Sequence, residues 1–386
     1  MPHANGSGRH SRAGRPVRHA GSPVSRAGRR MGALAAVVTL GVAAVGGHLG
    51  SGTNSLATHT LTVQRPLAGP TPTPAPAFGD APELARPILG PDAQNTKNLG
   101  DGTKLAAWRV IKNVKVFDLR LAQIDDYEVA PGVKRKAMGI NGLVPGPTIR
   151  VNQGERVRII VHNDLTEPSS IHWHGMDLPN DMDGVPGITQ QEIAPGATYT
   201  YEWTAISAGT HWYHSHMGGE QEGSGIYGAL EVVPISDDIA ADRDYTLLFA
   251  DGPLGFLVNG KAFPASVRMP ARIGERVHIR LIGPGPDLIH SIHLHGGFFQ
   301  VVAQDGHRLP VPYEADTVVL GVGQTYDLIW VPTRVGHWMI HCHIFAHSEG
   351  KRGMSGMVTF FDVYPADGAA APAIPRTGEV TRNREQ

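Results

Sequence analysis

From about residue 105 to 365 the chain is a succession of short apolar and β-branched runs, each broken by Gly or Pro. VKVFDLRL (114–121), PTIRV (147–151), RVRIIV (156–161), TYTYEW (198–203) and GALEVV (228–233) have strand length, and no long stretch carries a helical period. The pattern predicts an all-β protein built from sandwiches.

The pattern also repeats. Gly154-Glu155-Arg156-Val157 and SIHWHG (170–175) return as Gly274-Glu275-Arg276-Val277 and SIHLHG (291–296), displaced by 120 and 121 residues. GTHWYHSH (209–216) returns as GHWMIHCH (336–343), displaced by 127. Matches in one order at nearly constant offset imply a duplicated domain. The polar, acidic segment PISDDIAADRDY (234–245) marks the joint, which gives domains over 103–235 and 244–365, each the size of one β-sandwich.

Composition adds little about the folded part and more about the ends. A formal net charge of −1 over 386 residues gives no electrostatic footprint for nucleic acid. Residues 1–30 carry seven arginines and no acid, ending in Arg29-Arg30, before the apolar stretch Met31 to Gly47. Residues 1–50 therefore read as an export signal of the twin-arginine kind, and the protein as secreted or in the cell envelope. The apolar stretch is short and rich in Gly and Ala, so no stable membrane insertion is expected. Residues 51–102 are a Pro/Ala-rich linker and 366–386 a flexible tail.

The repeats carry four histidine pairs: His172 and His174, His214 and His216, His293 and His295, His341 and His343. On a strand, positions i and i+2 point to one face, so each pair offers two imidazoles side by side. A single His-x-His among 20 histidines would mean little, but four at matching places in two repeats make a metal cluster the better reading. Imidazole suits Cu, Zn, Fe and Ni alike, so the histidines do not name the metal.

Cys342, the only cysteine, does. Lying between His341 and His343, it must point to the opposite face and serve a second site. Its nearest candidate partners are His347, five residues on, and His290, three before His293. Two histidines, a cysteine and a long, weak methionine make a blue-copper electron-transfer site. Met354 is the axial candidate and Met357 the fallback. An electron received there has two short covalent routes, through His341 and His343, to the cluster on the opposite face. The first repeat has Ser169, Ser215 and Glu220 where the second has His290, Cys342 and His347, so one electron-entry site per chain is expected.

HWHG, HWYHSH, HSIHLHG and HCHIFAH, in that order, resemble the four copper-binding motifs of the multicopper oxidases, over about residues 105–365. With two repeats and the blue-copper site in the second, the chain is similar to the two-domain, laccase-like members. The resemblance implies two cupredoxin-like Greek-key β-sandwich domains and four coppers per chain. It gives His172 and His293 to a type 2 copper, and His174, His214, His216, His295, His341 and His343 to a type 3 pair. His290, Cys342, His347 and Met354 would hold the type 1 copper. It further implies one-electron oxidation of a small-molecule reductant such as a phenol or aromatic amine, and reduction of O2 to water. Asp183, in an Asp-Gly pair after HWHG, would aid proton delivery to oxygen. Two-domain relatives are homotrimers with each trinuclear cluster shared between subunits, and an interdomain segment reaching at most roughly 40 Å fits that arrangement.

The chain departs from the family pattern twice. The axial methionine of close two-domain relatives comes ten residues after the cysteine, where this chain has Arg352, so SEGKRG (348–353) forms a longer loop. Leu178 stands where some relatives have a tyrosine. A metallo-oxidase of Cu(I) or Fe(II) is the alternative enzyme. A copper nitrite reductase would keep its blue copper in the first domain, where this chain has Ser215. A copper electron carrier would leave eight histidines unexplained.

Overall fold

The computed structural model describes residues 103–236, 239–351 and 353–367. The expected export signal and linker lie outside these residues, as does all of the expected tail beyond Asp367. No described helix is long and apolar enough to cross a membrane.

In chain order the first half comprises β1 (Trp108–Ile111), β2 (Val114–Ala130), β3 (Val133–Ile140), β4 (Gly146–Asn152), β5 (Arg156–Asn163) and β6 (His172–His174). It continues with β7 (Thr198–Thr204), β8 (Gly209–His214), the short helix α1 (Gly219–Gly223) and β9 (Tyr227–Val233). The second half opens with β10 (Arg243–Ala250), β11 (Leu257–Val258), β12 (Met269–Arg272), β13 (Val277–Ile282), β14 (His290–Leu294) and β15 (Phe299–Gln304). It closes with β16 (His307–Ala315), β17 (Thr317–Leu320), β18 (Thr325–Trp330), β19 (Gly336–Cys342), α2 (Phe345–Ser348), β20 (Glu349–Gly350), β21 (Gly353–Met354) and β22 (Val358–Tyr364).

Each half is a two-sheet sandwich, and the duplication read from the sequence extends to strand order. One sheet of the first half runs β4-β9-β8-β6, and its counterpart runs β12-β22-β19-β14 with β17 added at the edge. In each sheet the first pair, β4-β9 or β12-β22, is parallel and the pairs that follow are antiparallel. His172 lies opposite His214, and His293 opposite His341. The other sheets match as well: β2 beside β5 and β10 beside β13 are parallel, and each is followed by an antiparallel partner, β7 or β18.

Strand alternation explains how the halves adhere. On β9, Leu230 and Val232 enter the core of the first sandwich, while Tyr227 and Ala229 face outward into a separate apolar cluster. On β10, Tyr245, Leu247 and Phe249 enter the second core, while Leu248 and Ala250 join the same outer cluster. Both strands are thus apolar on both faces, which period-2 geometry requires of strands covered on both sides. Beside this cluster lies a buried ionic network. Arg280 holds Asp244 through two bonds of 2.9 and 2.8 Å, and its other arm donates to Thr210 of the first half. Burial alone would push the Asp244 pKa up, but Arg280 and His278 beside it hold the carboxyl below the ordinary range.

Candidate metal centre

Strand β19 organises the centre by alternation. Ile340 and Cys342 point into the second core and His341 points to the other face. Its neighbour β14 does likewise: His290, Ile292 and Leu294 are buried on the core side, whereas Ser291 and His293 face away. His290 and Cys342 therefore share a side. The chain then turns through α2, which brings His347 back to that side, 7% exposed.

Three donor atoms converge there. His290 Nδ1 and His347 Nδ1 face each other at 3.2 Å, and Cys342 Sγ lies 3.5 Å from His347 Nδ1. Phe256 stacks on the His347 ring at 4.2 Å. Burial pushes the Cys342 thiol up, and burial together with His290 holds His347 below its ordinary value, so without metal both shifts favour the neutral thiol and the neutral His347 ring. The two methionines are placed differently. Met354 lies on β21 and is 43% exposed, whereas Met357 is fully buried in the same core cluster as Cys342. The Met357 carbonyl accepts from Cys342 N–H, and its own N–H donates to the His347 carbonyl.

The remaining histidines form two quartets, one per half. His172, His174, His214 and His216 have ring centroids 5.4 to 6.1 Å apart. His293, His295, His341 and His343 lie 4.8 to 5.9 Å apart, with the same five pairs in contact. Outer hydrogen bonds set the tautomers. His172 Nδ1 donates to the Asp183 carbonyl at 2.7 Å, with the Asp183 carboxylate 3.4 Å away. His293 Nδ1 donates toward the Asp316 carbonyl, and His341 Nδ1 to the Cys342 carbonyl. His214 Nδ1 lies 2.9 Å from Glu222 Oε2, a partner from α1 that the sequence pattern did not reveal. With Nδ1 committed in these four rings, Nε2 is left as their free donor atom.

These sites fit a metal on observations of the chain itself. His214 Nε2 is buried with no hydrogen-bond partner. His295 Nε2 and His341 Nε2 face each other at 3.3 Å. Burial, with the neighbouring imidazoles, brings His174 down to about 4, and His341 likewise to about 4 despite its bond to the Cys342 carbonyl. Such rings stay neutral at ordinary pH, the form in which imidazole binds metals.

Within one chain the quartets stay apart. Among the described residues, every ring contact between two of these eight histidines falls within one quartet and none bridges the two. The reason lies in β17. It pairs Thr317 with His293 at one end and Leu320 with His290 at the other, and the turn beyond Leu320 brings Gly323 against His174. Trp212 Nε1 also donates to the Gly323 carbonyl. The first quartet therefore meets the second half at the end of β17 away from His293. His216, His295 and His343 are exposed on the single chain.

The first half also contains the counterpart of the Cys342 pocket. Ser169 and Ser215 occupy the places of His290 and Cys342, and both hydroxyls donate to Gln221 Oε1, at 2.8 and 2.7 Å. Gln221 Nε2 in turn donates to Glu167 and to the Pro168 carbonyl. The expectation that Glu220 replaces His347 is corrected here: Glu220 is exposed, and α1 turns Gln221 inward.

Sequence models of multicopper oxidases match residues 122–237 and 237–365. The chain belongs to the multicopper oxidase family. Membership implies copper, which suits both the two-histidine, one-cysteine pocket and the imidazole quartets. Among solved structures, "Multicopper Oxidase mgLAC" is 32% identical with a TM-score of 0.63, covering 70% of this chain and 91% of that one. Copper resistance protein A of Pseudomonas syringae pv. tomato is 30% identical over 287 residues, 58% of this chain and 46% of the relative. Laccase-1 of Botryotinia fuckeliana is 31% identical over 274 residues, 63% of this chain and 46% of the relative. The chain thus spans about half the length of these curated relatives. Both domains of this multicopper oxidase are cupredoxin-like.

Proposed function

We propose that the protein is a laccase-like oxidase that takes single electrons from phenols or aromatic amines and passes them to O2. One observation carries the reading. On β19, Cys342 faces His290 and His347 while His341, next to it in the chain, faces His293 and His295. A ligand of one pocket is therefore covalently joined to a ligand of the other. Bound copper would supply the redox chemistry: one type 1 ion for electron entry, and a trinuclear group of one type 2 and two type 3 ions that reduces O2 to water. His290, Cys342, His347 and a methionine would hold the first. We assign the axial role to Met357, because it is buried beside Cys342, whereas Met354 is exposed. His172 and His293 would hold the type 2 ion, and His174, His214, His216, His295, His341 and His343 the type 3 pair. Asp183, whose carboxylate lies beside His172, would hold a proton on a carboxylate oxygen for delivery to oxygen.

We infer further that the quartets complete one another between copies, as a homotrimer would allow. Their separation within one chain and the exposure of His216, His295 and His343 support this. Mixing a His214→Ala chain with a His341→Ala chain should restore oxygen uptake in co-assembled oligomers. Activity from a monomer would contradict it. The arginine-rich start supports export, which fractionation of the producing cell would test.

A second reading, oxidation of Cu(I), rests on the hairpin beside His347. There Glu349 and Met354 lie directly opposite each other and both are exposed, a carboxylate and a thioether within reach of one cation. Steady-state oxygen uptake with a phenol, an aromatic diamine, Fe(II) and Cu(I) separates the readings. The laccase-like one requires the organic substrates to be turned over by a Met354→Leu variant as well as by the parent. Loss of Cu(I) oxidation alone in that variant would identify the hairpin as a metal-substrate site.

A further inference from the structure

Two buried atoms at the Cys342 pocket lack partners and face each other. His290 is 1% exposed and Asp251, just past the end of β10, is 3% exposed. His290 Nε2 and Asp251 Oδ1 are 3.5 Å apart, and neither has a hydrogen bond elsewhere. Leaving a buried polar atom unpaired is costly, so a pair that stops just short of bonding needs a reason. The local backbone is cut to fit the carboxylate. A side chain at Gly285 would put its first carbon 1.7 Å from Asp251 Oδ1, so glycine at this place leaves the space that the carboxylate occupies.

The direction of His290 supplies the reason. Its Nδ1 faces His347 Nδ1 and the Cys342 sulfur, so the pocket's metal takes the Nδ1 lone pair. The ring proton must then sit on Nε2, aimed at Asp251. We propose that Asp251 is a positioning residue for this pocket: it accepts a hydrogen bond from His290 Nε2–H, fixes the tautomer that presents Nδ1 to the metal, and lowers the reduction potential of the bound copper. The inference rests on reading the pocket as a type 1 copper site. A carboxylate behind a ligating imidazole makes it a stronger donor, and the added negative charge favours the more positive oxidation state.

Asp251→Asn tests this on the full copper-loaded protein. The amide keeps the size and an acceptor oxygen but removes the charge. The variant should remain blue, with its type 1 midpoint potential raised by the equivalent of a tenfold shift between the two oxidation states, about 59 mV for one electron. Gly285→Ala, which displaces the carboxylate without changing it, should shift the potential in the same direction. A blue Asp251→Asn protein with the parent's potential would overturn the proposal while leaving the type 1 reading intact. A parent protein that binds copper without turning blue would overturn that reading itself. A copper-loaded crystal structure of the parent decides the matter if the variants do not fold. Nε2 and Oδ1 should close to within about 3.0 Å. Asp251 turned instead toward the Tyr227 hydroxyl, which is also buried and unpartnered, would refute the assignment.

Discussion

The Cys342 pocket and its counterpart in the first half share one strand frame and differ in how their polar atoms are satisfied. In the first half Ser169, Ser215 and Gln221 close a hydrogen-bond circuit inside the protein. In the second half His290, Cys342 and His347 present donor atoms to one another, and His290 Nε2 is left unpaired. The frame therefore does not choose a metal; three side chains do. A site that completes its bonds internally has nothing left to offer an ion, whereas one that leaves lone pairs facing inward is complete only when loaded.

The largest effect should come from removing the feature the counterpart lacks. Cys342→Ser is expected to abolish the blue absorption, lower copper content by one equivalent per chain and bring substrate oxidation to background, with copper retained in the quartets. Full activity in that variant would break the electron route through His341 and His343. On the other side, Gln221→Ala should strand the Ser169 and Ser215 hydroxyls and cost about 1–3 kcal/mol in denaturation of the metal-free protein, with the blue colour unaffected in the loaded form. No loss of stability would mean that the circuit is not what holds the first half's pocket together.

A smaller contrast concerns acid. In the metal-free protein His174 and His341 titrate at about 4 rather than the ordinary 6.5. Between those values the unfolded chain binds protons that the folded one refuses. Stability from these rings is therefore present above 6.5, falls as pH drops toward 4 and levels off below. Thermal melting across that range measures it, and a midpoint independent of pH would show that the rings are not shielded as described. Smallest of all, Met357→Leu should shift the type 1 potential and Met354→Leu should not. The reverse pattern would return the axial role to the exposed methionine.

Much of this was legible in the sequence because strands have period two. The duplicated motifs offered paired imidazoles in both halves, and alternation put Cys342 opposite its flanking histidines; the register that sets His172 against His214 and His293 against His341 came with the structure. What stayed hidden depended on turns and on distant pairing. Gln221 rather than Glu220 faces inward because α1 advances the chain by helical steps, which a constant repeat offset does not follow. Glu222 reaches His214 from that same helix. Asp251 lies far from His290 in sequence and arrives beside it because β10 pairs in parallel with β13. The choice between Met354 and Met357 turns on a hairpin, β20–β21, whose length sets which methionine returns to the core.

The central proposal is that each chain feeds a copper cluster, completed between copies, from its own single-electron pocket, and that the cluster reduces O2. Anaerobic reductive titration of the copper-loaded protein, followed by admission of O2, tests it most directly. The protein should take up about four electrons per chain, the number O2 needs to become water, and return them on exposure to oxygen with the blue colour restored. Uptake of a single electron per chain, with no reoxidation by O2, would contradict the account and leave an electron carrier in its place.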